Sequence, residues 1–383
     1  MIPYGRQEVT PEDVEAVLEA LGSDFLTQGP KPPAFEAAVA ERVQAPQAVA
    51  VSSATAALHV ACRALGLGPG DRLWTSPITF VASANCALYC GAEVDFVDVD
   101  PDSWLMCPDR LEAKLVEAER AGRLPKIVVP VHLCGQSCDM AAIGALAARF
   151  GFHVVEDASH AVGGAFRGRP VGACAHSDAA VFSFHPVKII TSGEGGMALC
   201  RDAALAERMR RLRSHGITRD PEVMTHAPDG PWYYQQVELG WNYRMTDLQA
   251  ALGLSQLRRL DAYVARRNAL ARRYDAALAG LPLRTQAPTP DALSAFHLYV
   301  VRLTEPGRRR AVFEGLRGRG IGVNVHYIPV HLQPHYRALG FAEADFPEAE
   351  RYYAGAISLP LFPTLDEARQ DRVVEALRAE LAA

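Results

Sequence analysis

The chain has 383 residues, of which 49% are hydrophobic and 22% charged, and this composition excludes a disordered or collagen-like protein. Its 39 basic and 44 acidic side chains give a formal charge of −5, so the sequence offers no basic surface for nucleic acid or anionic lipid. The first residues do not resemble a secretory leader, and no apolar run approaches the ~18 residues of a membrane span. We expect a cytoplasmic protein with one large and one smaller domain.

Short apolar runs alternate with helical patterns over the first 200 residues. The predicted strands are 48–51, 72–75, 93–97, 127–132, 153–156, 179–184 and 197–200. The predicted helices between them are 55–65, 81–89, 108–121, 140–150 and 203–214. Strands that are apolar on both faces need helices on both sides, which indicates an α/β fold with a mainly parallel seven-stranded sheet.

The pattern changes after residue 248. A long Arg-rich helix is predicted over 249–281, followed by a strand over 297–303 and a helix over 311–319. These elements predict a smaller C-terminal α+β domain. We place the large domain at residues 1–255 and the small domain at 256–383.

The cysteines and lysines of the sequence indicate the state of the thiols and a candidate nucleophile. The eight cysteines include no C-x-x-C pair, so we expect reduced, mostly buried thiols and no metal site. Lysine occurs only four times among the 39 basic residues. Lys188 lies between Val187 and Ile189, where its amine is a candidate nucleophile, because partly apolar surroundings lower the pKa of an amine.

Small and polar residues follow several predicted strands, at the sheet edge where an open parallel sheet binds ligands. After the first strand, Ser53, Ala54 and Thr55 open a helix and could hold a phosphate, although a plain helix N-cap explains them as well. Asp157 could hold a protonated ring nitrogen or cap a helix, and His160 follows it.

Two further strand ends complete the set. One strand delivers Ser183, His185 and Lys188 before a glycine-rich turn, and another ends near Phe80, whose ring is either core or a stacking surface. A phosphate cradle, a carboxylate, an amine and an aromatic face together match the requirements of pyridoxal 5′-phosphate.

The sequence resembles the DegT-type sugar aminotransferases of the fold-type I pyridoxal phosphate enzymes. The likeness runs almost from end to end and is strongest in the segments VSSATAALHVA, EDASHAVGG, FSFHPVKIITSGEGGMAL, LGWNYRMTDLQAALGLSQL and VNVHYIPVHLQPHYR. It implies a large cofactor-binding domain, a smaller C-terminal domain and a homodimer with shared active sites.

The resemblance also implies roles for individual residues. Lys188 and Asp157 would be the catalytic pair, with Lys188 bound covalently to the cofactor and Asp157 facing its pyridine nitrogen. The other cofactor contacts would be Ala54, Thr55 and Ser183 at the phosphate, Phe80 on the ring face, His160 near the phenolic oxygen, and Asn242 from a neighbouring subunit. At the position of His160 many relatives have glutamine.

Within the family, the likeness points to the branch that makes UDP-4-amino-4,6-dideoxy-N-acetyl-β-L-altrosamine for pseudaminic acid. The implied reaction moves an amino group from L-glutamate to C4 of a UDP-linked 4-keto-6-deoxy-N-acetylhexosamine. The substrate-side residues would be Tyr4, Arg6, Thr27, His185, His326 and Tyr327. Arg219 and Arg244 are candidates for the glutamate carboxylate, although each could equally be a surface or interface charge.

Three alternatives remain at this point. The enzyme could aminate another nucleotide-linked keto hexose. A sugar-dehydrating relative would replace the lysine with histidine or add iron–sulfur cysteines, neither of which this chain has. A regulator that only binds the cofactor would need a basic DNA-binding extension, for which 383 residues leave no room.

Overall fold

The computed structural model describes residues 1–383. Its strands are β1 (Gln47–Val51), β2 (Arg72–Thr75), β3 (Glu93–Phe96), β4 (Ile127–Val129), β5 (His153–Asp157), β6 (Ala165–Phe166), β7 (Arg169–Pro170), β8 (Ala179–Ser183), β9 (Gly196–Cys200), β10 (Ile217–Thr218), β11 (Gln235–Gln236), β12 (Leu283–Thr285), β13 (Ala292–Leu293), β14 (Tyr299–Leu303) and β15 (Ala356–Leu359).

The α-helices alternate with these strands in the first half of the chain and dominate the second. They are α1 (Pro11–Leu21), α2 (Lys31–Val43), α3 (Ala54–Ala64), α4 (Ala82–Tyr89), α5 (Pro108–Arg120), α6 (Met140–Phe150), α7 (Ala203–Leu212), α8 (Asp247–Leu257), α9 (Leu260–Leu278), α10 (Arg309–Gly318), α11 (Pro334–Arg337), α12 (Pro347–Gly355) and α13 (Glu367–Ala382). No helix combines the length and the apolar character that crossing a membrane requires.

Seven strands form the main sheet in the order β1-β9-β8-β5-β4-β2-β3. The pairs from β8 to β3 are parallel, whereas β9 pairs antiparallel with both β1 and β8. Successive side chains of β8 enter cores on opposite faces of the sheet, Val181 on one face and Phe182 on the other. The predicted α/β fold with a mainly parallel seven-stranded sheet is therefore confirmed.

The C-terminal part has a core of its own. Strands β12, β14 and β15 form an antiparallel sheet against α9, α10 and α13. Ile2 also packs in this core and bridges to Ile321, so the N-terminus lies against the C-terminal sheet. The proposed boundary at residue 255 falls in the last turns of α8 and stays a prediction.

Several predicted elements differ from those in the structure. The single helix over 249–281 is wrong: the chain forms α8 and α9 with a break at Arg258 and Arg259, where Arg259 leaves helical geometry. The strand predicted over 127–132 ends at Val129, because Pro130 has no amide to continue the ladder. The strand predicted from His297 begins two residues later, at Tyr299.

Candidate active site

A cavity of about 560 Å³ opens at the carboxyl ends of the parallel strands, between the main sheet and the C-terminal part. Eleven of the predicted site residues line it: Tyr4, Ala54, Thr55, Phe80, Asp157, His160, Ser183, His185, Lys188, His326 and Tyr327. Three do not: Arg6, Thr27 and Asn242 are exposed and lie outside this cavity.

Lys188 forms part of the cavity wall and has no carboxylate within ion-pair distance. The other three lysines each have one: Lys31 pairs with Glu19, Lys114 with Asp95 and Lys126 with Asp71. Desolvation lowers the pKa of the Lys188 amine to about 8, and the charge of Asp157 partly opposes this decrease. At pH 7 about a tenth of this amine is therefore neutral and nucleophilic, far more than for an ordinary lysine.

Asp157 ends β5 and is almost fully buried. Its Oδ1 accepts a hydrogen bond from the Ser159 amide at 3.1 Å, and its Oδ2 accepts one from the Ser83 hydroxyl at 2.5 Å. These two donors fix the carboxylate in the cavity wall. The helix-cap interpretation is not needed here, because α-helix does not follow Asp157 in the structure.

The start of α3 and the end of β8 meet at the wall of the same cavity. Ser53 caps α3 through the Ala56 amide at 3.1 Å, while the amides of Ala54 and Thr55 have no acceptor within the helix. Gly196 pairs with Val51 on one side and Ser183 on the other, which brings the helix start beside the Ser183 hydroxyl.

The close approach at Gly196 depends on its lack of a side chain. A Cβ there would lie 2.4 Å from the Ser53 carbonyl and 2.6 Å from the Ala54 amide. Free amides at a helix N-terminus, flanked by hydroxyls, fit a phosphate. Together with Lys188 and Asp157 in the wall of the same cavity, these residues fit pyridoxal phosphate.

Another part of the cavity wall includes the aromatic side chains of Tyr4, His160, His326 and Tyr327. His160 Nδ1 accepts a hydrogen bond from the Cys134 amide at 3.3 Å, which leaves Nε2 to donate to the Tyr327 hydroxyl at 3.1 Å. The His326 ring lies 5.2 Å from that of Tyr4 and bonds to the Ser358 hydroxyl at 2.7 Å.

Burial controls the charge of these imidazoles. Desolvation lowers the pKa of His326 to about 4 and moves that of His160 well below its ordinary value, and the Lys188 charge adds to both decreases. Both rings are therefore neutral at physiological pH, and each has one donor and one acceptor nitrogen, which in His160 bond to Tyr327 and Cys134.

The sequence interpretation missed several residues of the site. The cavity is also lined by Thr79, Ser159, Glu194, His297 and Asn324, and Ser83 reaches Asp157 from behind it. His297 is almost fully buried, with its ring 4.4 Å from that of His160. Its position in the apolar run before β14 gave no signal of a site residue, whereas Thr79 and Ser83 flank a predicted site residue at a strand end.

Comparisons with known proteins agree with this architecture. The chain is 41% identical to the spore coat polysaccharide biosynthesis protein SpsC of Bacillus subtilis, over 98% of this chain and 96% of that protein. A putative sugar aminotransferase of Streptococcus pneumoniae, Spr1654, superposes in its PMP form with a TM-score of 0.91 at 30% identity, covering 100% of this chain and 99% of that one.

The pseudaminic acid enzyme PseC of Helicobacter pylori also superposes with a TM-score of 0.91, at 29% identity over 100% of this chain and 99% of that chain. Spr1654 has been solved in a PLP form as well. Residues 7–378 match the model of the DegT/DnrJ/EryC1/StrS aminotransferase family, so the chain belongs to this family and is a pyridoxal 5′-phosphate-dependent sugar aminotransferase.

Proposed function

We propose that the protein transfers the amino group of L-glutamate to C4 of a UDP-linked 4-keto-6-deoxy-N-acetylhexosamine, at the cavity around Lys188. The observation that supports this most strongly is the placement of the Lys188 amine. It is the one lysine without an ion pair, its pKa is lowered to about 8, and it shares a cavity with the Asp157 carboxylate.

Apart from its bond to Lys188, the cofactor would be contacted at four points of the cavity. The amides of Ala54 and Thr55 and the Ser183 hydroxyl would bind its phosphate, and Asp157 would face its ring nitrogen. Phe80 would cover one face of the ring, and His160 would lie near the phenolic oxygen. When bound, pyridoxal phosphate supplies a carbon that carries the amino group and a ring that spreads negative charge.

The residues of the chain would move the proton and position the substrates. Lys188 would hold the cofactor through Nζ, and when free its Nζ would take a proton from one carbon and return it to another. Asp157 orients the ring by accepting its N–H. The neutral rings of His326 and Tyr327, with Tyr4 and His185, would contact the sugar.

Binding the carboxylate of L-glutamate requires a cation or hydrogen-bond donors. No arginine lines this cavity. Arg219 is exposed and Arg244 half-buried outside the cavity. Arg244 lies two residues from Asn242, so a neighbouring subunit that contributes Asn242 would also bring Arg244 close. Arg6 and Thr27 would reach the substrate in the same assembly.

Exposed apolar side chains support the homodimer. The α1 helix and the following loop expose Leu18, Phe25 and Leu26, and the segment after β10 exposes Trp232 and Leu239 to between 49% and 72%. Large apolar side chains grouped at the surface mark interaction sites. A second copy of this chain is the partner that we propose for them.

Borohydride reduction tests the Lys188 assignment. Reduction of the pyridoxal phosphate-loaded protein should fix the label to one peptide that contains Lys188, and Lys188→Arg should abolish amino transfer, because a guanidinium does not exchange with a donor amine. Label on Lys31, Lys114 or Lys126, or an active Lys188→Arg protein, would contradict the assignment.

Product analysis tests the substrate. We expect amination of the UDP-linked 4-keto sugar of L-arabino configuration with glutamate as donor, and little reaction of the free keto sugar, because nucleotide contacts far from the reacting carbon add to the rate. Another nucleotide-linked keto hexose is the second candidate, which the 41% identity to SpsC favours over the 29% identity to PseC. Exclusive amination of the D-xylo epimer or of a dTDP sugar would favour this second candidate over the proposed substrate.

A further inference from the structure

The carboxylate of Asp157 is bonded by the hydroxyl of Ser83, which is itself bonded to the hydroxyl of Thr79, and neither residue belongs to the strand of Asp157. Ser83, the second residue of α4, places Oγ 2.5 Å from Asp157 Oδ2. Thr79, in the loop before α4, places Oγ1 2.6 Å from Ser83 Oγ. Both hydroxyl residues are at least 98% buried, so bulk water does not substitute for either bond.

The direction of these bonds follows from the chemistry of the carboxylate. An ionised carboxylate only accepts hydrogen bonds, so the Ser83 hydroxyl must donate its one hydrogen to Asp157. Thr79 must then donate to Ser83 Oγ. A chain of aligned hydroxyls in a buried setting polarises itself, which strengthens the bond to the carboxylate.

The two hydroxyls also connect Asp157 to the ring face of the cavity. Thr79 and Phe80 are consecutive and both line the cavity, whereas Ser83 lies behind Asp157. With the Ser159 amide on Oδ1 and Ser83 on Oδ2, the carboxyl group cannot rotate without losing a bond. Its remaining lone pairs therefore stay at a fixed angle to the cavity.

We propose that Thr79 and Ser83 are positioning residues, which act as a hydroxyl relay that orients Asp157 toward the pyridine nitrogen of the cofactor. This inference rests on the proposed role of Asp157. It adds that the segment carrying the ring-stacking residue Phe80 also sets the orientation of the carboxylate, so that the two contacts with the ring are aligned by one loop.

The test compares pyridoxal phosphate binding to the apo protein across matched variants. Ser83→Ala should raise the dissociation constant about tenfold, as expected for losing a hydrogen bond to a charged group, and Thr79→Val should raise it about threefold. Thr79→Ser keeps the hydroxyl and should bind like the wild type. Thr75→Val is the control, because it removes an equally buried hydroxyl that donates to the Val129 carbonyl at 2.8 Å instead of to the site.

A spectroscopic readout separates positioning from a merely structural role. The pH at which the absorbance of the bound cofactor changes should shift in Ser83→Ala and Thr79→Val in the same direction as in Asp157→Asn, and by less. Thr75→Val should not change the pH of this absorbance transition. Urea unfolding of each apo variant shows whether it is folded, and if Ser83→Ala is not, the Thr79→Val and Thr79→Ser pair decides.

Two results would overturn the inference in distinguishable ways. If Asp157→Asn weakens binding and shifts the absorbance while Ser83→Ala and Thr79→Val do neither, the relay is wrong and the role of Asp157 stands. If Asp157→Asn itself changes neither quantity, the proposed role of Asp157 fails, and the relay fails with it.

Discussion

The chemistry of the cavity depends on how the protein controls the charge of single residues. Lys188 loses solvent without gaining an ion pair, so its pKa decreases to about 8. The neighbouring His326 and His160 lose solvent too, and they stay neutral. The cavity therefore concentrates its charge on Lys188, Asp157 and the exposed Glu194 near its mouth.

The lowered pKa of Lys188 predicts a pH profile for covalent capture of pyridoxal phosphate by the apo protein. Only the neutral amine reacts, so the rate should rise with pH through a midpoint near 8 and then level off, well below the ~10.4 of an ordinary lysine. Stopped-flow absorbance after mixing measures this rate. A rate that keeps rising through pH 10 would contradict the prediction.

Asp157→Asn provides the control for the sign of this effect. The carboxylate raises the pKa of Lys188, so removing its charge should move the midpoint below that of the wild type. An upward shift would mean that the Asp157 charge does not stabilise the protonated amine of Lys188.

Several residues of the site could be identified from the sequence because they lie at the end of an apolar strand or shortly after it. Asp157, Ser183 and Lys188 are of this kind, and the cavity contains all three. His297 could not be identified, since it lies within an apolar segment and reaches the site only through packing of distant elements. No local pattern encodes that packing.

At the scale of elements, the site depends on the ends of β1 and β8, which β9 holds next to each other by pairing with both strands. The antiparallel strand β9 lies between β1 and β8 and sets Gly196 opposite both Val51 and Ser183. The strands of the main sheet could be predicted to within a residue or two, apart from β4, which ends three residues before its predicted end. The antiparallel direction of β9 and the break between α8 and α9 could not, because both depend on which neighbours the segment packs against.

Gly196→Ala should damage the proposed phosphate cradle. Its Cβ would overlap the backbone of Ser53 and Ala54, which cannot rotate away as a side chain can. We expect a decrease of about 2 kcal/mol in the free energy of unfolding and at least about tenfold weaker binding of pyridoxal phosphate. Urea unfolding and titration of the apo protein measure the two effects.

Gly318→Ala is the matched control for this substitution. Gly318 ends α10 and a Cβ there would meet nothing within 4 Å. This variant should keep wild-type stability and affinity, or gain slightly from the better helix propensity of alanine. If Gly196→Ala has the same stability and affinity as Gly318→Ala, the proposed phosphate site at Ala54, Thr55 and Ser183 does not depend on the close approach at Gly196.

At the scale of the whole molecule, the single chain leaves part of the proposed site unassembled. Asn242 is exposed and outside the cavity of its own chain, and it lies between Trp241 and Tyr243, whose stacked rings are 5.9 Å apart. His59 packs on Trp241 at 4.2 Å and bonds to the Tyr243 hydroxyl at 3.2 Å. This packing holds the Asn242 segment in a fixed shape at the surface.

A rigid, exposed segment with an asparagine at its centre is suited to enter the site of a second subunit. We predict that Lys188→Ala and Asn242→Ala proteins complement each other when mixed. In a hybrid dimer, the site that has Lys188 from one chain and Asn242 from the other is intact, while the second site lacks both. With equal mixing and random exchange, half of the dimers are hybrids, so activity should recover to about a quarter of the wild-type value.

Subunit exchange must be measured independently, for example by native mass spectrometry of a mixture in which one variant carries an affinity tag. Each variant alone sets the baseline, and Asn242→Ala must be weakly active by itself for the recovery to be read. If Asn242 acted within its own chain, every hybrid site would lack either Lys188 or Asn242, and mixing would restore nothing. In the hybrid dimer, Lys188 and Asn242 are on different chains, so only a shared site can combine them. Full subunit exchange without recovery of activity would therefore rule out a shared site.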